Sequence, residues 1–291
     1  MKNRNKIDIK HLQKQTLKKI YEILVKFLGE PPKEFKWIFS VNEDDEPLTK
    51  MIPKITPEKF SKVVSTDFIK DFVVLTNIPS PDMKYYTKYT MKYTNNVAEG
   101  EPFTFFNVPV EDLAIYASKS ILSEIPVWFA ADVMKNFNWY HSVLDDELNS
   151  EEKAFGQLVF NKGERMMFGT VQGTHAMVLT GFNTDEKGKF INWQVENSWG
   201  YIDNETPGLD GFLNMSHSWF KKYVIQIVIH KDLFTRSFQK KLDKAETKEL
   251  NPWDSVAPAL RAGPSFPPNN YLANLAFFNN RPYRATYCIP K

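Results

Sequence analysis

Two apolar, strand-like segments in the C-terminal half of the chain flank a short polar segment. They cover residues 174–180 and 190–195, and the residues between them include Asn, Asp, Lys and Gly. This pattern predicts a β-hairpin. A turn centred near residue 186 would place His175 directly opposite Asn197, because both lie eleven positions from that centre.

The predicted neighbours His175 and Asn197 form a combination that suits acid–base chemistry. An asparagine side-chain oxygen beside an imidazole fixes the tautomer and the orientation of the ring, as general acid–base catalysis requires. On spacing alone, a strand histidine beside an asparagine is nevertheless more often structural than catalytic. The pair is therefore a candidate site, and the surrounding sequence decides between the two interpretations.

Apolar periodicity predicts further helices and strands on both sides of the hairpin. The first helix begins near Ile9 and ends at Gly29, and Thr56-Pro57-Glu58 is a typical helix start. Further predicted helices cover residues 110–122, 132–156 and 218–222. Predicted strands cover residues 35–39, 72–75, 89–93, 127–129, 211–215 and 224–229, and the last two are expected to pair with each other.

The composition is that of an ordinary globular protein. Of the 291 residues, 42% are hydrophobic and 25% are charged, so the chain should bury a core. A net charge of +2 is too small to indicate a nucleic-acid or membrane partner, although the basic residues 1–19 could form a contact arm instead of a solvated helix face. No apolar run is long enough to span a membrane, and the N-terminus lacks the pattern of a secretion signal, which predicts a cytoplasmic protein.

Cys288 is the single cysteine of the sequence. One thiol cannot close an intrachain disulfide or form a cysteine-based zinc site, and this favours a reducing compartment. No metal site and no cofactor are predicted. Any cysteine chemistry encoded by these residues would have to come from the proline-rich C-terminal segment.

Short motifs in and around the predicted hairpin resemble those of papain-like cysteine peptidases. They are Gly173-Thr-His-Ala-Met177, Glu196-Asn-Ser-Trp-Gly200 and Gly211-Phe212. Within that group the similarity is strongest to the bleomycin hydrolase, or aminopeptidase C, family. Gly29-Glu-Pro-Pro32 and Trp253-Asp254 also match that family in the same order. The resemblance covers residues 17–260.

The resemblance implies a fold and a role for three residues. The expected fold is α+β and papain-like, with a β-domain that carries the His and Asn strands and with a helical insertion region. His175 matches the general base of the family, and Asn197 matches the residue that orients its imidazole. Trp199 matches the indole that shields their hydrogen bond from water. It could instead be an ordinary core residue.

The same resemblance divides the chain into four segments. Residues 1–150 match the helical and mixed insertion region, and residues 151–235 match the β-domain. Residues 236–260 correspond to a C-terminal arm. Residues 261–291 form a proline-rich extension beyond the usual end of the family pattern.

The nucleophilic cysteine of the family has no counterpart in the expected place. In the family it opens a helix of an N-terminal domain and follows a glutamine that serves the oxyanion hole, and we expect that domain to be absent here. Cys288 follows the histidine instead of preceding it, and Ser198 faces away on strand alternation. Neither is expected to replace the nucleophile.

The resemblance therefore implies a cysteine aminopeptidase that hydrolyses peptides from their amino ends, with only the His and Asn part of the site in this chain. The cysteine domain would lie on a separate chain or be missing because the gene is split or truncated, and this chain alone is predicted to be inactive. The alternative is a pseudoenzyme that binds peptides or serves as an assembly subunit. The resemblance also implies a peptide ligand and a homo-oligomer.

Overall fold

A computed structural model describes residues 8–43, 46–63, 70–94, 102–148, 160–198 and 211–260. The contacts divide these residues into two units, one within residues 8–63 and one within residues 70–260. One sheet of the second unit takes strands from both sides of residue 150.

Helix α1 (Ile9–Leu28) opens the first unit and ends where the sequence predicts. Gly29 has a φ angle of 82°, which favours glycine, and its amide donates to the Val25 carbonyl oxygen. The apolar side chains of α1 are exposed along its length, and none of its residues is buried. The other described residues of the first unit therefore do not cover the apolar face of α1.

A two-stranded hairpin and a short helix complete the first unit. Strand β1 (Phe35–Glu43) pairs antiparallel with β2 (Glu46–Ile55), and helix α2 (Pro57–Val63) follows. The predicted helix start is confirmed, because the Lys59 amide donates to Thr56 Oγ1 at 3.2 Å.

The second unit is built on one sheet, in which the described residues contribute eleven strands. The strands are β3 (Phe72–Thr76), β4 (Thr87–Met91), β5 (Thr104–Asn107), β6 (Val127–Ala131), β7 (Phe137–Asn138), β8 (Val143–Leu144), β9 (His175–Thr184), β10 (Phe190–Glu196), β11 (Phe212–Ser216), β12 (Val224–His230) and β13 (Thr247–Leu250). The helices are α3 (Val110–Leu122), α4 (Lys162–Met167), α5 (His217–Tyr223), α6 (Arg236–Lys244) and α7 (Ala257–Leu260). The order across the sheet is β13-β4-β5-β3-β12-β6-β9-β10-β11-β8-β7.

The predicted hairpin, β9 and β10, lies within this sheet and is anchored by one apolar face. Met177 and Leu179 on β9 and Trp193 and Val195 on β10 are buried in the main core cluster. Alternate residues of each strand contribute these side chains, as the period of two requires. Each fully buried side chain of this size stabilises the fold by about 1.5–3 kcal/mol relative to exposure, so the hairpin is firmly held.

The predicted helix over residues 132–156 is wrong where the structure describes it. Residues 132–148 form turns and the two short strands β7 and β8, and residues 149–159 lie outside the described residues. Asn136 and Ser142 have φ angles of 49° and 53°. Left-handed backbone at these positions is incompatible with a continuous right-handed helix.

The predicted pairing of the strands near residues 211–215 and 224–229 is also wrong. Strand β11 pairs with β10 and β8, whereas β12 pairs with β3 and β6. Most residues of β12 are buried, which is typical of a central strand whose two faces are both covered. Helix α5 between the two strands carries the chain from one part of the sheet to another.

Candidate active site

His175 is the first residue of β9, and its backbone is held against β6. It pairs with Ala131, and the Thr174 amide donates to the Ala131 carbonyl oxygen at 3.1 Å. Thr174 Oγ1 also accepts from the Val133 amide at 3.0 Å. The imidazole is half-buried, so its position at the strand end leaves part of the ring accessible.

Asn197 follows the last residue of β10 and is buried, with 7% of its surface exposed. Its amide donates to the Gly211 carbonyl oxygen at 2.8 Å, which ties the end of β10 to the start of β11. Its side-chain Oδ1 lies 2.9 Å from His175 Nε2. The structure therefore brings the two predicted residues into a direct hydrogen bond.

The chemistry of the two groups assigns the direction of that bond. An amide oxygen can only accept, so His175 Nε2 carries the proton and donates it to Asn197 Oδ1. In a neutral imidazole, Nδ1 then holds the lone pair that can take a proton. Protonation at Nδ1 leaves the Nε2 bond intact, which is what a general base needs when it becomes charged.

The predicted register of the hairpin is wrong, although the two side chains meet. Glu196 pairs with Val178, so the strands are shifted by two positions from a turn centred at residue 186. The shift is already present at the pair of Phe190 and Thr184 beside the turn, and the two irregularities further along the strands offset each other. His175 and Asn197 are therefore not directly opposite, and the side-chain bond connects them diagonally.

One buried group of the pair is unsatisfied among the described residues. Asn197 Nδ2 is buried and has no hydrogen-bond partner among them. Buried amides in protein interiors normally satisfy both ends, so an unpaired donor calls for an explanation. Among the described residues, only the Oδ1 end of the Asn197 amide therefore has a partner, and that partner is the His175 imidazole.

The other residues considered from the sequence are less informative here. Ser198 is exposed next to Asn197. Trp199 and Cys288 lie outside the described residues, so their predicted roles stay predictions. Among the described residues, no group of three His, Cys, Asp or Glu side chains could hold a metal ion.

Three polar residues near β6 and β12 were not predicted from the sequence. Asp132 is buried directly after β6, and burial raises the pKa of its carboxyl group. Lys162 is buried at the start of α4, and burial lowers the pKa of its ammonium group to about 7. Arg165 lies one turn further along α4. Asn161 and Glu164 form a capping box whose sequence pattern could have located this helix.

His217 offers a second histidine in the same unit, in different surroundings. Trp193 Nε1 donates to His217 Nδ1 at 3.2 Å. The rings of Phe190 and Phe220 lie 5.3 and 5.7 Å from the imidazole centroid. Burial lowers the pKa of His217, which favours the neutral ring.

An α+β fold in which neighbouring antiparallel strands present a His–Asn pair is the architecture of the papain-like peptidases, and the predicted fold class is confirmed. A sequence model of the Peptidase C1-like family matches residues 1–257. The chain belongs to this family.

Individual relatives agree with this assignment. The chain is 37% identical to aminopeptidase G of Lactobacillus delbrueckii subsp. lactis over 247 residues, which are 84% of this chain and 54% of that protein. It is 34% identical to human bleomycin hydrolase over 228 residues, which are 76% of this chain and 49% of the relative. The crystal structure of PepW from Lactobacillus rhamnosis HN001 has a TM-score of 0.74 at 30% identity, with 87% of this chain and 55% of that chain covered.

The chain spans about half the length of the curated relatives it matches. Within the described residues, no helix combines the length and the apolar character needed to cross a membrane.

Proposed function

We propose that this chain supplies the base side of a cysteine aminopeptidase site. The observation that carries the proposal is the hydrogen bond from His175 Nε2 to Asn197 Oδ1 at 2.9 Å, which orients Nδ1 for proton transfer. The similarity to aminopeptidase G and to bleomycin hydrolase supports a peptide substrate that is cleaved from its amino end.

In the proposed mechanism His175 Nδ1 takes the proton of a cysteine thiol. The resulting thiolate attacks the carbonyl carbon of the scissile peptide bond, and the imidazolium is held in place by Asn197 Oδ1. His175 then gives the proton to the leaving amine as the carbon–nitrogen bond breaks, which leaves a thioester. Water, with His175 again as the base, releases the amino-terminal residue and restores the thiol.

The nucleophile in this proposal comes from polypeptide outside the 291 residues. The single cysteine of the sequence, Cys288, follows His175 and lies in no segment that matches the family's nucleophile motif. Relatives about twice as long leave room for such a segment. It would either precede residue 1 in the same protein or belong to a separate chain.

The uncovered face of helix α1 supports a partner segment. Its large apolar side chains are all at least 47% exposed. Helices in proteins gain most of their stability by packing an apolar face. The described residues of the first unit leave this face of α1 exposed, so it offers a surface on which another segment can pack. A homo-oligomeric assembly and a cytoplasmic location complete the proposal.

Reconstitution tests this function. The chain is assayed on an aminoacyl fluorogenic substrate alone and after addition of a nucleophile-bearing segment. That segment is either the one encoded directly upstream or the portion of aminopeptidase G that this chain does not match. We expect no turnover from the chain alone and iodoacetamide-sensitive turnover from the mixture.

Two results would contradict this expectation. Turnover by the chain alone that disappears in Cys288→Ser would assign the nucleophile to this chain. Stable association with the nucleophile-bearing segment without turnover would favour the pseudoenzyme, whose role is to bind peptides or to support assembly.

A further inference from the structure

Four successive carbonyl groups at the junction of α5 and β12, residues 222–225, all accept hydrogen bonds from outside that segment. Lys222 O accepts from Arg165 Nη2 at 3.0 Å, and Val224 O accepts from Lys162 Nζ at 2.6 Å. Between them, Tyr223 O accepts from the Asp132 amide at 3.2 Å. Ile225 O accepts from the amide of Asn77 at 2.9 Å.

Two of these donors are basic side chains of the short helix α4. Hydrogen bonds from ionised donors are roughly twice as strong as neutral ones, so the Arg165 guanidinium contributes strongly to this junction, and Lys162 adds a short bond of 2.6 Å. Arg165 also lies over the ring of Tyr223, at 4.9 Å from its centroid. We call Lys162 and Arg165 the α4 clamp.

Lys162 is unusual because, among the described residues, no carboxylate accepts a hydrogen bond from its buried ammonium group. Its described hydrogen-bond partners are Val224 O and Asn77 Oδ1, at 2.6 and 2.7 Å. A lysine is almost never fully buried unless it is paired, and burial alone opposes its charge. Ion pairing therefore does not explain why Lys162 is buried. Its hydrogen bond to the backbone of β12 does explain it.

The fit of α4 against its neighbours fixes where Lys162 can reach. A Cβ atom at Gly163 would lie 1.9 Å from the Pro79 carbonyl oxygen, so only glycine allows this approach. The capping box of Asn161 and Glu164 secures the start of the helix. The ammonium group of Lys162 is thus held at the Val224 carbonyl oxygen of β12.

That point is connected to the imidazole through two strands. Val224 pairs with Ala131 on β6, and Ala131 pairs with His175 on β9. Neighbouring strands lie about 4.8 Å apart, so the clamped carbonyl is about 10 Å from the backbone of His175. A shift of the junction therefore moves the strand against which His175 is held.

We propose that Lys162 and Arg165 are positioning residues for His175. By fixing the junction of α5 and β12, they hold β6 and β9 so that His175 Nε2 stays aligned with Asn197 Oδ1. The inference rests on the proposed function, because only a catalytic imidazole gains from such alignment. The proposal adds two residues to the site. Neither of them makes a described hydrogen bond to the imidazole.

Nitrogen NMR of the histidine rings tests the clamp without any enzymatic assay. The chain has five histidines, and His175→Ala assigns the signals of His175. We compare the wild type with Lys162→Met, which keeps the length of the side chain and removes its donors. The wild type should show His175 mainly as the Nε2–H tautomer. In K162M the ratio of the Nδ1–H to the Nε2–H tautomer should rise about fivefold, the factor that corresponds to the net loss of one hydrogen bond.

A matched control separates positioning from general destabilisation. Leu242→Ala removes a buried side chain on α6, away from the path between Lys162 and His175. It should lower the melting temperature and leave the His175 signals unchanged. Unchanged His175 signals in a folded K162M, or an equal change in L242A, would overturn the clamp.

Arg165→Gln decides the question if K162M does not fold. It removes the bond to Lys222 O and should shift the His175 signals in the same direction but less. Unchanged signals in R165Q would then overturn the clamp. The proposed function fails on a different result, the absence of reconstituted turnover, and that result leaves the NMR outcome unaffected.

Discussion

The two regions around His175 and His217 show how one residue type serves different purposes within one unit. His175 lies at the end of a strand, half-buried, and its Nε2 donates to an amide oxygen. His217 begins α5 among aromatic rings, and its Nδ1 accepts from Trp193 Nε1. Both rings are hydrogen-bonded, so the presence of a partner does not distinguish them.

The direction of the hydrogen bond does distinguish them. A proton can join His175 at Nδ1 without loss of the bond to Asn197, because that bond uses the other nitrogen. A proton can join His217 at Nδ1 only if the bond from Trp193 breaks, because two donors would then face each other. His175 is thus suited to proton transfer and His217 to a permanent neutral role in the core.

Trp193→Ala should have the largest effect, and it addresses the His217 region. Trp193 is buried and stacks on Phe220 with a centroid distance of 4.8 Å. Removal of such a side chain should lower the free energy of unfolding by about 3–5 kcal/mol, measured by urea titration. Trp128→Ala is the control, because Trp128 is 38% exposed and should cost clearly less. Equal losses of unfolding free energy in the two variants would mean that Trp193 stabilises the unit no more than a partly exposed tryptophan does.

Asn197→Ala should have the next largest effect, on activity. Without Oδ1 the imidazole loses its orienting acceptor, so kcat of the reconstituted enzyme should fall about 10²-fold with little change in KM. Asn192→Ala is the matched control and should retain kcat, because it removes an asparagine on β10 that donates to Asn214 Oδ1 and not to the imidazole. A similar loss in both variants would show that the effect comes from damage to the hairpin.

The pH dependence of stability should show the smallest effect. Burial lowers the pKa of His217 in the folded state below its ordinary value of 6.5. The unfolded chain therefore binds more protons just below pH 6.5, and stability must fall as the pH drops through that value. Urea titrations between pH 7.5 and 5.5, values that span this window, should give a weaker decline for His217→Phe than for the wild type. An identical decline would contradict a neutral, structural His217.

The sequence predicts local features of this molecule better than distant pairings. The periodicity of α1, the stop at Gly29 and the start at Thr56 depend on neighbouring residues, and all three are confirmed. The register of the β9–β10 hairpin depends on the exact centre of its turn, which the polar segment between the strands does not specify. The turn is centred at residue 187 instead of 186, so the predicted register is wrong by two positions.

The candidate site divides in the same way. His175 and Asn197 are recognisable because they lie in short motifs on one hairpin. Lys162 lies 62 residues from Val224 in sequence, and only the fold brings its ammonium group to that carbonyl oxygen. Long-range contacts of this kind leave no periodicity in the sequence, so Lys162 and Arg165 could not be predicted.

The most direct measurement is the activity of His175→Ala and His217→Phe in the reconstituted enzyme, at equal occupancy of the nucleophile-bearing segment. H175A should lose iodoacetamide-sensitive turnover by at least about 10³-fold while its melting temperature changes little, because it removes the base and leaves the core intact. H217F should keep its turnover per folded molecule and melt at a lower temperature. Full turnover in H175A would contradict the assignment of His175 as the base.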